Sequence, residues 1–295
     1  MAGLLLAGCS GNPFPGPQPL VAVVPVVPVV DPVTVPASVA KNMNSATYTP
    51  GDATIKINMS SQDATALTAT YTRNPTYDVG GYLAYTYQET TSNRYVVALV
   101  KETGSAKGLV AVEGGQFANY HGGGTFMRAD LFTLPAAGGV GKPFDYSGSY
   151  VGLMNIGTPL PGPGGDLNPT RSYRTQGRTL ITADFTEMSV SGGIDQRKII
   201  DPMVNAAGVV DPTLDPALAT ISLFETGITS SGTFAGNVYI GTTSVGDYAG
   251  LFAGLNASQV AALLVFKPYL ADSKIIEHGL LVLDNCAAAG GPACP

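Results

Sequence analysis

Stretches in which apolar residues recur at every second position run throughout this sequence, punctuated by glycine and proline, which together make a fifth of it. A period of two places alternate side chains on opposite faces of an extended strand, so the pattern specifies sheet with one face toward a core. Ile55, Ile57 and Met59 alternate with polar residues, as do Leu67, Ala69 and Tyr71. Tyr82–Tyr87 and Arg94–Lys101 follow as runs rich in β-formers. Asn74-Pro75, Gly80-Gly81, Gly104-Ser105 and Gly114-Gly115 punctuate them as turns. Strands at this spacing make a sandwich or a barrel.

One hairpin can be placed residue by residue. Ile181, Ala183 and Phe185 share a face, and after Thr186-Glu187 the phase flips so that Met188 and Val190 become the apolar positions. A two-residue turn makes Phe185 oppose Met188 and Ala183 oppose Val190, with all five on one side. Thr-Glu is not the Asn-Gly that such a turn prefers, which leaves the turn type open. Further on, Phe234, Val238 and Ile240 align around Gly236, and Gly279–Leu283 forms a last, continuously apolar strand. Asn256–Leu264 reads as a single helical turn capped by Asn256, then a strand entering at Val260.

The ends carry different information. Leu6-Ala7-Gly8-Cys9 resembles the bacterial lipobox, in which the cysteine thiol takes a diacylglycerol. No basic residue precedes it, so Met1 reads as an internal start; the alternative is a small-residue terminus with an accidental cysteine. Residues 12–36 are a Pro/Val tract in which proline blocks both helix and central strand, giving an extended or disordered tether. With Cys9 assigned to lipid, Cys286 and Cys294 remain, and an oxidising compartment would join them in a disulfide pinning the C-terminal tail. Two thiols without nearby histidine do not suggest a metal site.

Charged residues are only 12% of the chain, with net charge −6 and no Lys/Arg run, which argues against nucleic acid as a partner. His121-Gly122-Gly123-Gly124 matches an esterase oxyanion-hole motif, but the Gly-x-Ser-x-Gly elbow that must accompany it does not occur. The bland reading is a glycine-rich loop. His278 is the only other histidine and lies far away in sequence. Asp184 and Glu187 flank the hairpin turn, where carboxylates are usually solvated turn residues. Gly138–Lys142 lacks the full phosphate-loop pattern. The expectation is therefore a protein that is not an enzyme and needs no cofactor or metal. Tyr82, Tyr85, Tyr87 and Tyr95 are the candidate ligand-binding residues, because tyrosine combines an apolar face with a hydrogen-bonding tip. Tyr85 and Tyr87 should share a strand face and Tyr82 the other; the competing reading makes all four ordinary core residues. The Pro/Gly-rich stretches 159–169 and 201–216 are candidates by location.

The order GRTLITADFTEMSVSGGIDQR (177–197), GTFAGNVYIG (232–241) and GDYAGLFAGLNASQVAALLVF (246–266) resembles the C-terminal barrel domain of transferrin-binding protein B-like surface lipoproteins. The lipobox and tether match that family's layout. The resemblance covers roughly 144–283, with one handle–barrel unit where the family has two, and Ala261-Ala262 where it often has glycine. It implies an all-β fold, a filled eight-stranded antiparallel barrel (144–295) preceded by a smaller β handle (45–143), a tether (9–44) and a signal-peptide remnant (1–8). It further implies a monomeric, lipid-anchored binding protein on the outer membrane, facing the cell surface or the periplasm. Its ligand would be a protein or a carrier-bound nutrient of the iron or haem type. A structural or adhesive envelope lipoprotein is the alternative.

Overall fold

A computed structural model describes residues 33–49, 52–60, 67–88, 96–113, 121–135, 143–155, 172–202, 218–268 and 275–286. Among them, no helix is long and apolar enough to cross a membrane. After a four-residue helix α1 (Ala37–Ala40), seven strands form one antiparallel sheet in sequence order. They are β1 (Met43–Thr47), β2 (Thr54–Met59), β3 (Leu67–Arg73), β4 (Leu83–Tyr87), β5 (Val96–Thr103), β6 (Ala106–Glu113) and β7 (Gly122–Arg128). Eight more close an antiparallel barrel: β8 (Phe144–Asn155), β9 (Ser172–Asp184), β10 (Ser189–Ile199), β11 (Ile221–Gly227), β12 (Thr233–Ile240), β13 (Thr243–Ala253), β14 (Gln259–Phe266) and β15 (Ile276–Asn285). β15 pairs with β8, so the closed sheet has no edge. This is the all-β fold expected from the alternation, in the barrel-and-handle arrangement that the resemblance implies.

Three apolar clusters show how the layers share residues. The barrel interior takes Tyr146 and Tyr150, Ile181, Ile194, Phe252, Leu264 and Leu281. The curled handle sheet encloses its own core of Ile55, Ile57, Tyr71, Tyr85 and Val100. Between them, outward-facing Leu251, Leu263, Leu280 and Val282 meet Tyr82, Leu99 and Val110 of the handle. Strands β14 and β15 are thus buried on both faces, which is why Val260–Phe266 and Gly279–Leu283 read as unbroken apolar runs. β9, which among the described residues meets the handle only near its start at Arg174 and Gln176, alternates buried with partly exposed residues along its length.

The glycines of 122–124 are a close-packing device. A Cβ on Gly123 would lie 2.0 Å from the Ala40 carbonyl oxygen, one on Gly124 2.4 Å from Leu263 Cδ2, and one on Gly122 2.6 Å from His278 Nε2. The run lets β7 press at once on α1 and on the barrel wall. Polar ties cross the same seam: Tyr82 Oη donates to the Ser149 carbonyl at 3.0 Å and accepts the Val282 N–H at 2.9 Å. Thr103 Oγ1 donates to Asp284 at 2.6 Å.

The hairpin of 181–190 keeps its face but not its turn. Val190 opposes Ala183 as expected, while Ser189 opposes Asp184, so the connection is four residues and Phe185 does not pair with Met188. Asp184 Oδ1 accepts the N–H groups of Thr186 and Glu187 at 2.7 and 3.0 Å, and Met188 takes a left-handed φ of 52°. Without Asn-Gly the two-residue turn is strained, and a side-chain-capped longer turn replaces it. Near Asn256 the short helical turn is a 3-10 turn, Leu255–Ala257, followed by β14; Asn256 sits inside it at φ 54°, with Gly254 in the cap position.

Candidate functional site

Among the described residues, the handle covers β13, β14, β15 and part of β8 and reaches β9 only near its start, where Arg174 lies over the Tyr77 ring, leaving the rest of the outer wall of β9–β12 open. A trough of about 560 Å³ is sunk into that wall. Arg178 and Leu180 line it from β9, Gly193 and Asp195 from β10, and Thr220 and Ser222 from the start of β11. Two features of the sheet create it. The β10–β11 register slips between Val190 and Gly192, and Gly193 contributes no side chain. Pairing between β10 and β11 also ends at Ile194–Ile221, beyond which the Arg197 guanidinium donates to the Ala219 carbonyl at 2.7 Å.

On its rim Arg178 and Asp195 form a bidentate pair, Nε to Oδ1 at 3.1 Å and Nη2 to Oδ2 at 2.7 Å. Their side chains remain 57% and 41% exposed. The Arg178 hydrogen bond holds the Asp195 carboxyl below its ordinary range. The wall continues into an aromatic platform. Ser222 pairs with Tyr239 across β11–β12, and Phe224, two residues on, is 63% exposed and lies 5.3 Å from the Tyr239 ring. The platform is fixed from inside: Tyr248 packs where a Gly236 Cβ would be and donates its hydroxyl to the Phe224 carbonyl. A fixed ring, an apolar floor and hydroxyls thus lie side by side on this wall.

The sequence-predicted residues lie elsewhere. Tyr82 faces the barrel and Tyr85 and Tyr87 the handle core, the division of faces expected, but Tyr82 and Tyr85 are fully buried. Tyr85 donates to the Asp52 carbonyl at 3.1 Å. Tyr87 is half-buried against Tyr71, 5.7 Å between rings. Cys286 is half-buried just past β15, and its N–H donates to the Asp145 carbonyl. Cys9, Tyr95, Cys294 and the stretch 159–169 lie outside the described residues, as does most of 201–216; Asp201 itself is clamped by Arg174, Nε to Oδ1 at 2.9 Å. Asp184, weighed for acid–base work, caps its turn, and those N–H groups lower its pKa.

His278 of β15 packs against Gly122 of β7, whereas His121, one residue earlier, is placed beside Glu113. His121 Nε2 is 3.9 Å from Glu113 Oε1. Buried His278 is pushed down to about 3, by burial first and then by the Lys41 charge. Among the described residues, no group of three or more His, Cys, Asp or Glu side chains could hold a metal ion.

Phe224 and the trough were missed in the sequence. Phe224 is out of phase with inward-facing Ile221 and Leu223, and that off-beat apolar residue is the signal.

The molecule is thus an all-β protein with one closed barrel, one handle and one bare wall. No protein-family model matches the chain, and no curated protein sequence matches it. Its fold is similar to a double mutant of transferrin binding protein B from Haemophilus parasuis Hp5, at 11% identity and TM-score 0.39, over 81% of this chain and 52% of that one. It is similar also to isotype 1 transferrin binding protein B from serogroup B Neisseria meningitidis, at 12% identity and TM-score 0.34, over 82% and 52%. A protein described as a surface lipoprotein is similar at 14% identity and TM-score 0.32, over 78% and 92%. The chain spans about half the length of the two transferrin binding protein B chains.

Proposed function

We propose that this chain is a monomeric envelope binding module, anchored by lipid at Cys9, held off the outer membrane by its Pro/Val tether, and recognising its ligand through the bare barrel wall. The observation that carries the reading is exposed Phe224, packed on half-buried Tyr239 beside the trough, on the wall the handle does not cover. Large apolar rings left in water on a rigid sheet mark recognition surfaces. The resemblance to surface lipoproteins supports a protein or carrier-bound nutrient, iron or haem included, as the cargo, and an outer-membrane position facing the cell surface or the periplasm. The reading is non-catalytic: the His121 motif serves packing, and Asp184 and Glu187 serve a turn.

The competing reading, a structural or adhesive lipoprotein, is favoured by one observation. The outer face of the handle is a polar ladder, with Thr68, Thr70 and Thr72 exposed on β3 and Asn58 hydrogen-bonded to both Asn44 and Thr68. Affinity capture with the full chain from the native medium or host fluid separates the two. Stoichiometric retention of a ligand that is lost in Phe224→Ala supports binding through the wall; recovery of nothing supports the structural role.

A further inference from the structure

The chemistry of the wall specifies a class of ligand, an inference that rests on the binding-module reading. The charged rim pair, Arg178 and Asp195, is self-neutralised by its two hydrogen bonds. The remaining charge nearby is one exposed cation, Lys198 on β10, against two carboxylates, exposed Glu225 and Asp247, which accepts a hydrogen bond from Asn237 at 3.2 Å, so no positive charge is in surplus. An anionic ligand is therefore disfavoured. The trough presents hydroxyls from Ser147, Thr182, Thr220 and Ser222 over an apolar floor that includes Leu180 and Gly193. It crosses β8 to β11 and meets Tyr239 on β12, four strand spacings or about 19 Å, room for a chain of several rings.

A protein partner fits less well. A specific protein interface covers about 800 Å² per side around a cluster of desolvated anchors. Of the exposed large apolar residues among those described, Leu131, Leu255 and Ile276 lie off this wall, and Phe224 alone stands on it. One aromatic platform, fixed hydroxyls and no surplus positive charge match a ligand with apolar C–H faces and hydroxyl edges.

We propose that the trough and the Phe224–Tyr239 platform bind a neutral polysaccharide, laid across the outer face of β9–β12 with a sugar ring stacked on the aromatic pair.

The test is calorimetric titration of the full chain with soluble neutral oligosaccharides (glucan, xylan, mannan and chitin fragments) and with a heparin fragment as the anionic probe. At least one neutral probe should bind, with little dependence on salt, and Phe224→Ala and Tyr239→Ala should each weaken it about tenfold or more. Both variants should melt with the wild type, since Phe224 is exposed. Three results overturn the proposal: no neutral probe binds, heparin is preferred, or Phe224→Ala leaves binding unchanged. A captured protein lost in Phe224→Ala, with no glycan bound, ends the polysaccharide assignment and keeps the binding module. Neither glycan nor protein captured ends both.

Discussion

Inside the barrel the Arg197 guanidinium donates to the Glu277 carboxylate at 2.5 Å, with neither side chain exposed to water. Tyr150 and Thr175 donate to the other carboxylate oxygen at 2.8 and 2.6 Å. Gly152 and Gly279 make the space, since a Cβ on either would strike this cluster at 2.4 and 2.3 Å. The barrel is thus filled by apolar side chains toward one end and by a buried ionic network toward the other. Removing one partner leaves the other charged and buried, which costs about 3–5 kcal/mol. Glu277→Ala should lower the unfolding free energy by that amount in denaturant titration. A loss below about 1 kcal/mol would show the pair to be solvated.

His278 predicts an acid-side loss of stability. Its folded pKa of about 3 lies below the ordinary 6.5, so folding favours the neutral imidazole. The stability is fully present above 6.5 and is lost as pH falls from 6.5 toward 3, at roughly 1.4 kcal/mol per unit. Between neutral pH and about 4.5 the wild type should lose about 2–3 kcal/mol that His278→Gln does not lose. Parallel pH profiles for the two proteins would refute the assignment.

The triglycine predicts a positional contrast. Gly123→Ala forces a methyl onto the Ala40 carbonyl oxygen, whereas the nearest atom to a Cβ on Gly193 is 3.5 Å away. The first should destabilise by about 1–3 kcal/mol and the second by under about 0.5 kcal/mol. Thermal melts of the two variants check this, and equal losses would contradict it.

Tyr82 is assigned to the handle–barrel seam. Tyr82→Phe removes a hydroxyl that serves the Ser149 carbonyl and the Val282 N–H, so stability should fall by about 1–3 kcal/mol. Ligand retention below the melting range should not change. Loss of ligand at unchanged stability would return Tyr82 to the role of a contact residue.

Much of the fold was legible because the period of two survives in strands with one wet face, as at Ile55–Met59 and Ile181–Val190. Where both faces are buried, as in β14, the period vanishes and only propensity and flanking turns remain. The site was less legible for the same reason in reverse. Tyrosine in β4 signals a surface or a core equally well, and only the second layer, invisible in one strand's pattern, decides for core at Tyr82 and Tyr85. The packing of His278 on Gly122 depends on β15 lying against β7, a contact between elements distant in the chain. Phe224 alone left a local mark, by breaking the alternation of Ile221 and Leu223.

Ligand affinity of the full chain, compared among wild type, Phe224→Ala on the bare wall and Thr70→Ala on the handle face, tests the recognition surface most directly. The account predicts loss of about tenfold or more in Phe224→Ala alone, with all three proteins melting together. Loss confined to Thr70→Ala, or equal affinity in all three, would contradict it.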